Sequence, residues 1–410
     1  MNDLLAQKSG RYEFTVVLLC FLGWGLVFMD RLVLSWQSPV IMESLQISNT
    51  QYGMLGFATN ICYVFSAIFF AILSDKLGYR KKIIVPLLFF TGIASAAGVF
   101  AQGFWSLFVI RCFVGIAEGP MLPLMASLVK DASADKRFGM NMGIVNCGVG
   151  AIGTTTGAIL VTQLAARFDW QMTFLLSSIP TFVIAILFII FIKEIYVAPE
   201  EKKEKVNTFD VFKYRNIILC SIIAILGMAG YWTGMLFAPV YLTSVVNLSV
   251  QTMGWMGSLM GVLYVVYCFI VPTVSDKFGR KPVLAIAFVL AALSPLCMFL
   301  FSGSMFSVVT YIIFGGFAAS MTPIYHSLVP MESVDVKLIA TANAMVMGIG
   351  DLIGTAIYPV IAGGIADKWG LSFMMLFAAI LLFINVILAI FLIETRPRKK
   401  KMAQSTSTAA

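Results

Sequence analysis

The stretch SDKLGYRKK, Ser74–Lys82, returns 201 residues later as SDKFGRK, Ser275–Lys281, each time at the polar junction between two long apolar runs. The same offset carries further matches outward from these loops. Gln51-Tyr52-Gly53-Met54-Leu55-Gly56 is matched by Thr252-Met253-Gly254-Trp255-Met256-Gly257, and Tyr63 falls on Tyr264. At an offset of 200, Gly115, Pro123 and Ser127-Leu128-Val129 fall on Gly315, Pro323 and Ser327-Leu328-Val329, and Pro39-Val40 on Pro239-Val240. The chain is therefore one unit written twice.

That unit is built for a bilayer. Of the 410 residues, 60% are hydrophobic and only 12% charged, against about a quarter charged in a soluble domain. A spanning helix needs about 20 mostly apolar residues. Twelve such runs are present, near 14–36, 50–74, 82–101, 104–129, 138–165, 171–193, 216–245, 251–275, 282–302, 304–330, 338–366 and 371–394. The first is too long for the core of a cleavable signal. With both termini placed in the cytoplasm, 24 of the 28 Lys and Arg fall on inside ends and loops, and only Arg167 and Lys368 fall outside. The positive-inside bias supports that orientation. The expected class is an all-α membrane protein of twelve transmembrane helices in two pseudo-symmetric six-helix bundles. Residues 1–193 form the first bundle, 194–213 a charged cytoplasmic linker, 214–396 the second bundle and 397–410 a cytoplasmic tail. A duplicated helical unit places a substrate site near the midplane.

Charge inside the runs points to that site. Asp30 and Arg31 lie in the first run, and Arg111 and Glu118 in the fourth. An ionisable residue at membrane depth costs roughly 2.5–3.5 kcal/mol on insertion scales and marks function by default. The bland alternative is a structural ion pair, or an arginine snorkelling to the interface. Seven residues are nearly two helical turns, so Arg111 and Glu118 share a face about 10 Å apart along the axis. The repeat sharpens the contrast: Asp30-Arg31 fall on Gly230-Tyr231, Arg111 on Tyr311 and Glu118 on Ala318. The first half carries the charged chemistry, and the second offers aromatics plus one intramembrane acid, Asp351.

At the duplicated loops the chain resembles the major facilitator superfamily, over about residues 12–396. That family's loop between its second and third helices has Gly, three residues, Asp, a basic residue, any residue, Gly and further basic residues. Ala71 and Pro272 replace the leading glycine. Asp75, Lys76, Gly78 and Arg80 fit, as do Asp276, Lys277, Gly279 and Arg280. The resemblance implies a gating motif, in which each Asp holds a basic group or helix terminus when the cytoplasmic side closes. Within the superfamily, DRLVLSWQSPVI at Asp30–Ile41, QYG at Gln51–Gly53, Tyr63 and RCFVGIAEG at Arg111–Gly119 look like the anion:cation symporters. That likeness implies that Arg31, Arg111 and Tyr63 hold an organic anion and that Asp30 and Glu118 take part in proton coupling. The second half matches that family less well.

Other residues carry weaker signals. Tyr231, Trp232 and Tyr264 are read as cavity aromatics or as packing, and Asn146 and Asn343 as hydroxyl binders or interhelical bonds. Asp351 reads equally as a second coupling group or a helix–helix hydrogen bond. His326, the single histidine, reads as packing before coupling, and the glycine patches Gly148–Gly157 and Gly348–Gly354 as sites of close packing or bending. Seven cysteines without CxxC spacing give neither a disulfide framework nor a metal site. No GxxxxGK[ST] stretch supports ATP hydrolysis, and one histidine is a poor start for an enzyme. The net charge of +8 belongs to cytoplasmic loops, not to nucleic-acid binding.

The expected function is a monomeric, cofactor-free secondary transporter in the cell (inner or plasma) membrane. It takes up a small organic anion, a sugar acid or other carboxylate, with protons, sodium being possible. The alternative is a proton-coupled exporter of drugs or sugars of the same superfamily, against which the two arginines argue.

Overall fold

The computed structural model describes residues 10–134, 136–194, 196 and 208–395. Among them are twelve helices long and apolar enough to cross a membrane. They are α1 Gly10–Trp36, α2 Asn49–Leu77, α3 Lys81–Phe100, α4 Phe104–Ala132, α5 Phe138–Ala165, α6 Trp170–Phe191, α7 Arg215–Ser244, α8 Val250–Phe278, α9 Arg280–Leu300, α10 Met305–Ser333, α11 Val336–Trp369 and α12 Leu371–Ile390. These correspond one for one to the apolar runs. The tail 397–410 lies outside the described residues, as does the linker 194–213 except for Glu194, Tyr196 and 208–213.

The chain forms two compact units. One holds α1–α6 with Leu248–Val262, and the other the remainder of α7–α12. In the first, α1 packs on α5 and α6, α2 on α4, and α3 on α6. In the second, α7 packs on α11 and α12, and α9 on α12 and α10. The second unit's core stacks Phe288 on Tyr325, with ring centroids 5.8 Å apart. Large apolar residues such as Phe65, Phe69, Ile190, Phe269 and Ile387 are exposed along the spans. Such a surface suits hydrocarbon and not water.

Local sequence sets the helix ends. Ser48 and Gln51 form a reciprocal capping box at the start of α2: the Ser48 hydroxyl accepts from the Gln51 N–H at 3.2 Å, and Gln51 Oε1 from the Ser48 N–H at 2.9 Å. The motif glycines end α2 and α8. Gly78 has φ 72° and Gly279 φ 114°, in the left-handed region, so a side chain there would be strained. Both glycine patches overlap π turns, Val149–Thr156 in α5 and Gly350–Ile357 in α11, at matching places in the repeat. In the first patch Gly148 lies against the backbone of Phe21 and Gly25, which brings α5 against α1.

Candidate substrate-binding site

In the first unit the charged residues of α1 and α4 meet. Arg31 Nε donates to Glu118 Oε2 at 2.9 Å, with both side chains buried. The Arg31 guanidinium also lies over the Tyr63 ring, 4.1 Å from its centroid, so the cation has a carboxylate at its Nε and a π face beneath it. Arg111 is held differently. Its Nε donates to Thr59 Oγ1 at 3.0 Å and its Nη2 to the Arg31 carbonyl at 3.2 Å. Glu118 thus pairs with the arginine of the neighbouring helix, not with Arg111 two turns away on its own.

The backbone explains how α2 supplies Thr59 and Tyr63. Gly115 and Gly119 follow Arg111 by one and two turns on the same face of α4. A Cβ at Gly115 would run into the Thr59 carbonyl, and one at Gly119 into that of Tyr63. Both positions admit only glycine, and the close approach sets Thr59 beside Arg111. Sequence reasoning missed Thr59. The signal was present in the spacing Arg111, Gly115, Gly119, a small-xxx-small face next to a buried cation.

Asp30 points elsewhere. Successive helical residues diverge by about 100°, so Asp30 and Arg31 leave α1 in different directions. Asp30 Oδ2 accepts from Thr181 Oγ1 of α6 at 2.7 Å, Ser95 of α3 lies beside it, and the residue is fully buried. Asp30 remains within electrostatic reach of Glu118 and Arg111. Among the described residues, Arg111 Nη1, Glu118 Oε1 and Asp30 Oδ1 are buried atoms of the cluster without a hydrogen-bond partner. Buried polar groups are paired as a rule, so these unpaired atoms on ionisable side chains make the cluster a candidate place for a ligand or a proton.

In the second unit the predicted residues are spread over four helices. Tyr231 and Trp232 of α7 meet edge to face at 5.8 Å, with Tyr231 half-buried and Trp232 buried. Tyr264 of α8 packs its backbone against Gly316 of α10. Asn343 of α11 is half-buried, and its Oδ1 has no hydrogen-bond partner among the described residues. Asp351 sits in the π turn of α11, its carbonyl accepting from Thr355 Oγ1 at 2.6 Å. His326 is buried edge-on to the Tyr325 ring at 4.7 Å. Back in the first unit, Asn146 of α5 donates to the Met142 carbonyl of its own helix at 3.0 Å.

The two motif loops are built alike. Arg80 Nη1 bonds Asp75 at 2.9 Å and Ser74 at 2.8 Å, while Arg280 Nη1 bonds both Asp276 and Ser275 at 2.6 Å. Asp75 and Asp276 are largely exposed, and so are Lys76 and Lys277. An acid that the sequence reading missed caps each following helix. Glu194 accepts from the N–H groups of Arg80 at 3.2 Å and Lys82 at 2.7 Å. Glu394 accepts from those of Arg280 at 2.8 Å and Lys281 at 3.1 Å. A carboxylate at a helix N-terminus satisfies orphan donors and complements the dipole. The two acids stand 200 residues apart, so the repeat itself was the available signal. Arg280 also forks onto Glu332, with Nη2 to Oε1 at 2.8 Å. The first half has Ala132 at that position.

The family model described as Major Facilitator Superfamily matches residues 15–347 and 217–409. A hexuronate transporter of Bacillus subtilis is 30% identical over 179 residues, 44% of this chain and 42% of that protein. A putative tartrate transporter of Agrobacterium vitis is 23% identical over 97% of this chain and 94% of its own length. A 4-hydroxybenzoate transporter of Pseudomonas aeruginosa is 25% identical over 44% of this chain and 40% of that one. The hexuronate and hydroxybenzoate matches thus span less than half of those proteins. Among solved structures, a bacterial homologue of the human lysosomal transporter Spinster superposes with TM-score 0.75 at 18% identity, covering 93% of this chain and 97% of that one. The nucleoside transporter NupG superposes with TM-score 0.77 at 18% identity, over 93% and 100%. These two likenesses concern the fold alone.

Proposed function

The chain belongs to the Major Facilitator Superfamily, and on that premise we propose that it is a secondary transporter taking up a small carboxylate together with a proton. The observation that carries this reading is the buried cluster of Arg31, Glu118 and Arg111, with Arg111 Nη1 and Glu118 Oε1 left without hydrogen-bond partners among the described residues. An arginine suits a carboxylate because its planar fork makes two charge-assisted bonds and stays ionised. The relatives named for hexuronate, tartrate and 4-hydroxybenzoate transport supply the substrate class, since each of those solutes carries a carboxyl group.

Charge balance supplies the coupling. With all four groups ionised, Arg31, Arg111, Asp30 and Glu118 sum to zero. A monoanion added to that cluster leaves one uncompensated buried charge, which costs several kcal/mol. A proton taken up with the anion restores neutrality. Glu118 is the acceptor best placed, because protonating it releases Arg31 to face the substrate. Asp30, bonded to Thr181, is the reserve site of protonation, and Asp351 a further one in the second unit. Tyr63 supports Arg31 through its ring face, and in the second unit Tyr231, Trp232, Tyr264 and Asn343 remain candidate solute contacts.

Alternating access then follows from rocking of the repeated bundles, with Asp75, Lys76, Gly78 and Arg80 and their second-half copies Asp276, Lys277, Gly279 and Arg280 regulating closure. In this reading the protein sits in the cell's inner or plasma membrane with cytoplasmic termini. The test is uptake into proteoliposomes of glucuronate, galacturonate, tartrate and 4-hydroxybenzoate, with and without an imposed pH gradient. Gradient-driven accumulation of a carboxylate is expected. Uptake of uncharged sugars in preference to every acid overturns the reading.

A further inference from the structure

We propose that Thr59 is a positioning residue of the anion site, setting which edge of the Arg111 guanidinium is offered to the substrate carboxylate. The inference rests on the transporter reading above and deepens it. Thr59 is 2% exposed, inside the α2–α4 contact, and a hydroxyl at that depth is committed on both sides. Its proton goes to the Leu55 carbonyl one turn back, at 3.1 Å. Its oxygen is thereby turned toward α4, where it accepts from Arg111 Nε at 3.0 Å. The Arg31 carbonyl takes Nη2 at 3.2 Å. The Nε and Nη2 donors are both engaged by the protein, and Nη1 has no hydrogen-bond partner among the described residues. A guanidinium held by two acceptors in this way cannot swing, so its free end is presented to a ligand at no further ordering cost.

The arrangement is specific to a hydroxyl on a short stem. Serine reproduces the acceptor, valine keeps the branched shape without it, and a longer polar residue would not fit where Gly115 brings α4 against the Thr59 carbonyl. Losing the acceptor strands a charged donor in a buried site and frees the guanidinium to rotate. That weakens the ground-state complex before it affects the later conformational steps.

The experiment measures uptake kinetics of Thr59→Val and Thr59→Ser in proteoliposomes, with whichever of glucuronate, galacturonate, tartrate or 4-hydroxybenzoate the wild type takes up. Arg111→Lys is run alongside. Thr59→Val is expected to raise KM about tenfold, the scale of one lost charge-assisted hydrogen bond, with the larger part of the change in KM and not in Vmax. Thr59→Ser is expected to restore KM to within about threefold of wild type, because its hydroxyl gives back that hydrogen bond. Folding is monitored by the melting temperature of the purified variants, so a packing defect is visible separately. A wild-type KM in Thr59→Val, or equal impairment of Val and Ser variants, overturns the role of Thr59 and leaves the anion reading standing. Uptake of none of the four acids, or normal uptake by Arg111→Lys, overturns the anion reading and the inference with it.

Discussion

If Glu118 carries the proposed coupling proton, replacing it by Gln is expected to separate binding from energy coupling. The carboxylate is fully buried and its Oε2 lies 2.9 Å from Arg31 Nε. Gln keeps an oxygen that accepts from Nε but removes the charge, so the substitution imitates a permanently protonated Glu118. A substrate carboxylate bound to the same arginine stands on the order of 5 Å from the Glu118 charge. At an effective dielectric constant near 20, their repulsion is about 3 kcal/mol, more than a hundredfold in affinity. The variant lacks this repulsion at every pH. Its substrate affinity is therefore expected to match the wild type at low pH and to lack the fall expected of the wild type once Glu118 is ionised. Coupling disappears for the same reason. One proton per monoanion lets a gradient of about one pH unit hold a tenfold concentration ratio, or about 1.4 kcal/mol, whereas the variant settles near unity. The assay is counterflow and net uptake in proteoliposomes with the membrane potential clamped. Counterflow is expected to persist while gradient-driven accumulation is lost. Tenfold accumulation by Glu118→Gln would refute the charge-balance argument and move the coupling to Asp30 or Asp351.

Arg31→Lys and Arg111→Lys are expected to lower uptake by about a hundredfold or more while the protein still folds, because a point charge does not reproduce a planar fork; near-normal uptake by both would remove the anion site. Gly115→Ala places a Cβ against the Thr59 carbonyl and is expected to cost about 1–3 kcal/mol, the range for overpacking. It should also raise KM by displacing Thr59 from Arg111, so an unchanged melting temperature and KM count against the close contact. Asp75→Asn removes a pair with Arg80 in which the Asp75 side chain is 74% exposed. Its effect on stability is expected to stay under about 1 kcal/mol. It should slow the transport cycle and shift cysteine accessibility on the two faces without changing which acid is preferred. A changed preference points to a role outside gating.

What the sequence by itself determined follows from rules that act along the chain. Hydrophobic run length decided the twelve spans, because a bilayer imposes one length on every helix. The 201-residue repeat marked the chain as a duplicated unit. The cost of burying charge singled out Asp30, Arg31, Arg111 and Glu118 as the residues to watch. Which of them touch was decided only in three dimensions. Helical periodicity set Arg111 and Glu118 on one face of α4, yet Glu118 reaches across to Arg31 of α1 while Arg111 turns to Thr59 of α2. Asp30 and Arg31, adjacent in sequence, part because a helix rotates each successive side chain, and Asp30 ends on Thr181. Glu194 and Glu394 read as two charges among many in polar segments until folding set each on the first N–H groups of a helix. Periodicity along one helix fixes a direction, but a partner depends on how closely the next helix approaches, and here that distance was set by glycines 115 and 119.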